Sequence, residues 1–296
     1  MPESAPAQTL DDLWDFADAT ASATRFQARL DALDRQSDPA AAAETLTQLA
    51  RAQGLQHDFA AAHATLDAVS PATREAFPLV QVRYLLERGR VFNSAGEPVR
   101  AVPLFREAWA TAATPDLDYF AVDAAHMLAI ALPPAEQPAA WAEKAIARAK
   151  ASHDPRARRW LGPLNNNLGW TRHDGGDFEA ALGCFEAALE AYEAEGKLPQ
   201  IRIAKWAVAR ALRSRGKLDE ALARQQALLA ELDAAGEEDG YVYEELGECL
   251  LALGRPDDAA PCFAKAYAVL SQDEWLVEHE GTRIERLRVL ATHAER

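Results

Sequence analysis

The chain has 296 residues, and what it lacks narrows its function before any motif is read. It holds only three cysteines, Cys184, Cys249 and Cys262. An odd, sparse set gives no disulfide framework and fits a reducing cytoplasm. No stretch approaches 18 uninterrupted apolar residues, so no membrane-spanning helix is expected. The opening MPESAPAQTL has neither a basic n-region nor an apolar h-region, which excludes a secretory signal there. Basic residues are outnumbered, 31 against 46, for a net charge of −15. That balance disfavours the nucleic acid backbone and anionic membranes, both of which need a basic footprint. Lysine is confined to positions 144, 150, 197, 205, 217 and 265. With the abundance of alanine, this arginine bias points to a GC-rich bacterial genome. Strand-like alternation is missing as well, and the chain reads as all-α.

What is present is a repeat of about forty residues. A small residue recurs at Ala50, Gly89, Ala129, Gly169, Ala209 and Gly247. A second series, Ala62, Ala101, Ala140, Ala181, Ala221 and Ala259, runs with nearly the same spacing. Four residues beyond it stand Leu66, Phe105, Lys144, Phe185, Gln225 and Phe263, and three further on Val69, Ala108, Ala147, Ala188, Leu228 and Ala266. Offsets of four and seven share one helical face. Each unit therefore holds two helices, the second with a small–large–small stripe. Small residues let two backbones approach, and the large one fills the space between pairs. Gly96, Gly176, Gly216 and Gly254 follow at the position where a left-handed residue ends a helix. Asp38-Pro39, Ser70-Pro71, Thr114-Pro115 and Asp154-Pro155 mark helix starts, as do Pro98, Pro138 and Pro256.

These residues resemble tetratricopeptide repeats. The clearest unit, 162–195, carries Leu168-Gly169, Gly176-Asp177-Phe178, Ala181, Phe185 and Ala188. The unit at 240–273 carries Tyr243, Leu246-Gly247, Gly254, Ala259, Phe263 and Ala266. Unit 202–235 has Gln225 in place of the aromatic. The unit at 122–154 breaks its turn with Pro133-Pro134 and puts Lys144 in the aromatic slot. The period exceeds the family's usual one, and with Asn166-Asn167-Leu168-Gly169 it resembles the longer repeats of kinesin light chains and of bacterial peptide-responsive regulators. The resemblance implies a right-handed superhelical solenoid of about six tandem helix-turn-helix repeats with helical caps. The expected division is an N-terminal helical cap at 1–42, an array at 43–273 with units near 43, 82, 122, 162, 202 and 240, and a C-terminal capping helix at 274–296. End repeats need such polar caps because their outer faces have no neighbour.

In this family the first helices line a concave groove that binds extended peptides. Applied here, one inward ladder reads Arg51, Arg90, Ile130, Trp170, Arg210, Glu248, and another Thr47, Leu86, His126, Asn166, Trp206, Glu244. Asn93, His173 and Arg213 follow one turn on. The candidate groove residues are Arg90, His126, Asn166, Trp170, His173, Trp206, Arg210 and Arg213. Arginine and tryptophan are the residues in which binding energy concentrates, and a guanidinium can grip a carboxylate through two hydrogen bonds. A solvated charged face with pairs four residues apart would give the same composition.

No catalytic or metal site is legible. The histidines, at 57, 63, 126, 153, 173, 279 and 293, show no zinc spacing. His173-Asp174-Gly175-Gly176-Asp177 falls in a turn, where aspartate caps and glycine stops a helix. No phosphate loop or nucleophile–base order is evident, and no cofactor is implied. The reading is a non-enzymatic, cytoplasmic scaffold whose partner is a protein or peptide segment, acidic or ending in a carboxylate. Homo-oligomerisation stays open. The alternative is a peptide-responsive regulatory protein acting on a protein target, since 1–42 is too short and acidic for a DNA-binding domain. An enzyme with a pocket in the groove is the third possibility.

Overall fold

The structure is a computed structural model and describes residues 9–292. The ends of both predicted caps, 1–8 and 293–296 with His293, lie outside the described residues. Among the described residues all regular structure is helical, as expected. The chain forms two compact units, divided at Trp160–Leu161.

In the first unit the α-helices are α1 (Ala19–Ala32), α2 (Pro39–Leu55), α3 (Phe59–Asp67), α4 (Pro71–Ala76), α5 (Pro78–Ser94), α6 (Pro98–Thr111), α7 (Asp118–Ala131), α8 (Pro138–Ala151) and α9 (Pro155–Arg158). The second unit holds α10 (Leu161–Asp174), α11 (Phe178–Glu195), α12 (Leu198–Ser214), α13 (Leu218–Ala235), α14 (Gly240–Ala252), α15 (Pro256–Leu270), α16 (Glu274–His279) and α17 (Gly281–Ala291). Within each unit consecutive helices pack as antiparallel pairs, and each pair packs on the next. No helix is long and apolar enough to cross a membrane, among the described residues.

The local signals act as the sequence predicts. Asp38, Ser70 and Asp154 accept hydrogen bonds from the first-turn N–H groups of Ala41, Thr73 and Arg156. Thr114 makes no such bond and opens only a 3-10 turn. Gly96, Gly176, Gly216 and Gly254 are all left-handed, with φ between 73° and 82°. Each turn brings the next residue's N–H back to the preceding helix, as from Asp177 to the Arg172 carbonyl at 2.9 Å. In the first pair the same place is held by His57, at φ 61°.

The pairs are locked by a reciprocal fit. A Cβ on Gly89, Gly169 or Gly247 would stand 2.5–2.8 Å from the ring of Phe105, Phe185 or Phe263 respectively. Where the first helix carries alanine, the partner is smaller: Ala50 clusters with Leu66. Ala209 faces the register of Gln225, which is fully buried and donates to the Trp206 carbonyl at 3.4 Å.

The pair α7–α8 departs from the predicted register. Lys144 and Ala147 are exposed, and Lys144 rests its ammonium 3.9 Å from the Trp141 ring centre. The buried stripe is Ala142, Ala145, Ile146 and Ala149. Ile130, expected on the inner ladder, is 54% exposed. The cause is the longer linker Leu132–Gln137, where Pro133-Pro134 ends one helix early and starts a 3-10 turn.

Candidate functional site

First helices of successive pairs are joined by charge. In the first unit Arg90 of α5 donates to both oxygens of Asp123 on α7 at 2.5 Å, and to Glu87 at 2.7 Å. Arg51 of α2 reaches Glu87 from the other side at 3.8 Å. Both carboxylates are buried. Burial opposes the charge on Arg90, but Asp123 and Glu87 hold its pKa above the ordinary value. This arginine, read from the sequence as a groove residue, is thus engaged within the protein. His126, one turn beyond Asp123 on α7, is half-buried with its ring 4.9 Å from that of Trp160. Burial and the nearby Arg90 lower its pKa, against Asp123.

The other six candidates belong to the second unit. Trp170 of α10 and Trp206 of α12 lie with ring centres 5.8 Å apart, and Trp170 is backed by Phe185. Trp206 donates through Nε1 to the Tyr241 carbonyl at 3.0 Å. His173 bridges α10 to α12 through a 2.9 Å contact between Nε2 and Ser214 Oγ. Asn166 lies one turn before Trp170; its Oδ1 is buried and meets no donor. Arg213 holds Glu245 of α14 with a two-pronged contact at 2.5 and 3.0 Å. Arg210 touches the same carboxylate only at 3.5 Å and keeps a third of its side chain exposed.

Trp170, Trp206, Arg210 and Arg213 share a pocket of about 440 Å³ with Glu244, Glu245, Glu248, Arg283 and Arg286. Asn166 and His173 are not among its walls. Arg283 and Arg286 are the residues that the sequence reading missed. They sit on α17, taken only as a cap. They extend the ladder, because Glu244 pairs with Arg283 at 2.5 Å and Glu248 with Arg286. The signal was available: these pairs are 39 and 38 residues apart, the same period as the repeat.

Four guanidiniums therefore face three carboxylates in this pocket. Glu245 is weaker than a full counter-charge, since burial raises its pKa to about 7 against the opposing Arg213. Arg283 also holds Glu280 at 2.7 Å, so the four guanidiniums meet four carboxylates, of which Glu245 is the one that burial weakens. An anionic group entering beside Arg210 would complete its hydrogen bonds, and the paired indoles offer an apolar surface next to it. No group of three or more potential ligands for a metal ion occurs among the described residues.

Comparisons agree on the fold. The tetratricopeptide repeat family profile matches residues 166–237. A kinesin light chain-like protein of Podosopora anserina with nearly identical TPR-like repeats aligns at a TM-score of 0.51 and 18% identity, over 65% of this chain and 95% of that one. BtubC (BKLC) from P. vanneervenii aligns at 0.46 and 16%, over 90% and 92%. MamA AMB-1 aligns at 0.45 and 22%, over 62% and 95%. No curated protein matches the sequence. Residues 166–237 thus carry the tetratricopeptide repeat signature, and the pairwise tandem packing of the helices is that of a tetratricopeptide repeat solenoid.

Proposed function

We propose that this repeat scaffold binds an extended protein or peptide segment on the first-helix face of its second unit, without catalysing a reaction. The segment places a carboxylate, from an acidic side chain or a chain end, beside Arg210. An apolar side chain lies on Trp170 and Trp206. The observation that carries this reading is the unequal sharing of Glu245: Arg213 takes both its oxygens, which leaves Arg210 exposed with a 3.5 Å contact. A guanidinium with unused donors in a partly desolvated pocket is a carboxylate receptor. Asn166 stands one turn before Trp170 on α10, outside the pocket walls, where a longer segment would reach it.

A peptide-library screen tests this reading, with wild type set against Asn166→Ala, Arg210→Ala. Acidic or free C-terminal peptides should be enriched, and the double variant should lose them. Enriched peptides that are basic, or that bind the double variant equally well, would remove the site.

A further inference from the structure

The first unit has its own first-helix face, and part of it is covered by the chain itself. Gln48 and Arg51 of α2, Leu86 and Glu87 of α5, and Asp123 of α7 form one wall of a pocket of about 230 Å³. The opposite wall is Asp11, Trp14 and Phe16, from the segment that precedes α1. Capping the end of a repeat array requires cover for α2 alone, and α1 packs there. The segment goes further, sharing a pocket with α5 and α7.

Its attachment is specific. Trp14 donates through Nε1 to Gln48 Oε1 at 3.0 Å. Trp14 and Phe16 stack in parallel, ring centres 4.8 Å apart, with the Arg51 guanidinium 5.6 Å from each ring. At the far end the Asp15 N–H donates to Ser22 Oγ at 2.8 Å, and that hydroxyl donates back to the Asp15 carbonyl. Leu13 is buried among Phe26, Leu30 and Leu49. Anchoring by two aromatic rings, an arginine contact and one side-chain hydrogen bond is the pattern of a recognised segment. Only Leu13 is sealed into the core. Phe16 is 67% exposed, so the outer part can lift without emptying it.

We propose that residues 11–16 are an internal ligand, occupying the first-helix face of the first unit and closing it to an external segment of the same chemistry, two aromatic rings flanked by carboxylates. This is independent of the second-unit site. A labelled peptide of residues 9–18, TLDDLWDFAD, is titrated by fluorescence anisotropy into the full chain and its variants. The double variant Trp14→Ala, Phe16→Ala should bind it at least tenfold more tightly than wild type, because the competitor within the chain is weakened. Adding Arg51→Ala should reverse that gain, and adding Arg210→Ala should not. Equal binding to wild type and double variant overturns the proposal. So does the absence of saturable binding to a double variant with wild-type circular dichroism, or sensitivity to Arg210 rather than Arg51. Should the double variant lose helix, Phe16→Ala alone serves. It should bind at least threefold more tightly than wild type, and unchanged affinity overturns the proposal. Failure of any of these leaves the Arg210 reading standing, because that is read with different residues and a different peptide set.

Discussion

At the scale of single residues, the arginines of the first-helix face differ in how fully they are paired. Arg90 neutralises two buried carboxylates, Glu87 and Asp123. Its removal strands Asp123 and leaves Glu87 only Arg51 at 3.8 Å, so Arg90→Ala should cost about 3–5 kcal/mol in denaturant unfolding. Arg210 is only a second partner to a carboxylate that Arg213 already holds, so Arg210→Ala should cost no more than about 1 kcal/mol. From sequence both were ladder arginines of equal rank. What distinguishes them is how acids off the ladder are shared: Glu87 and Asp123 both turn to Arg90, whereas Glu245 is taken by Arg213 ahead of Arg210. Glu245 also gives a pH signature. Burial raises its pKa to about 7, above the unfolded carboxylate's 4.5. The folded state then holds the proton more tightly, so this contribution is complete below pH 4.5 and is lost as pH rises through about 7. Relative to Glu245→Gln, wild type should lose as much as about 3 kcal/mol between pH 4.5 and pH 8 in urea unfolding. A constant difference between the two across that range would show that Glu245 titrates normally.

Helices and their turns were the most legible level, because their signals are local. Glycine at 96, 176, 216 and 254 announced left-handed turns, and the structure places all four there. The small residue at 169 predicts a close helix approach and the large one at 185 a filler between pairs; the structure sets Phe185 on Gly169 within one pair, which makes a quantitative statement. A methyl at 169 would lie 2.5 Å from that ring, so even Gly169→Ala should lower stability by about 1–3 kcal/mol, and Gly169→Leu by at least as much. Thermal melts that match wild type would contradict the placement. His57 carries the converse prediction. It holds a left-handed φ of 61° where the other turns have glycine, so His57→Gly should stabilise the first pair by about 1 kcal/mol in the same assay. The third pair was misread because the period was extended through a linker of different length. Proline at 133 and 134 signalled a break, but the size of the resulting shift depends on how Leu132–Gln137 folds, which spacing does not encode. The aromatic slot assigned to Lys144 belongs instead to Ala145 and Ile146.

At the scale of the whole chain, composition and period indicated an all-helical repeat protein, and the structure and the family match agree. Which ladder residues are engaged within the protein was less legible, because ladder positions are filled by both structural ion pairs and exposed donors. The tandem packing makes each pair depend on its neighbours. A chain ending at Gly236 loses the helices that cover Leu228 and Leu232 and the carboxylate that holds Arg213. It should stay helical by circular dichroism yet aggregate in size-exclusion chromatography. The central claim is that Arg210 serves recognition whereas the arginines around it serve the fold. It is tested most directly by measuring, on one preparation of Arg210→Ala, both the melting temperature and the affinity for an acidic peptide selected on wild type. A melting temperature within a few degrees of wild type, with affinity reduced at least tenfold, is the expected result. Unchanged affinity would contradict the claim, whatever the melting temperature.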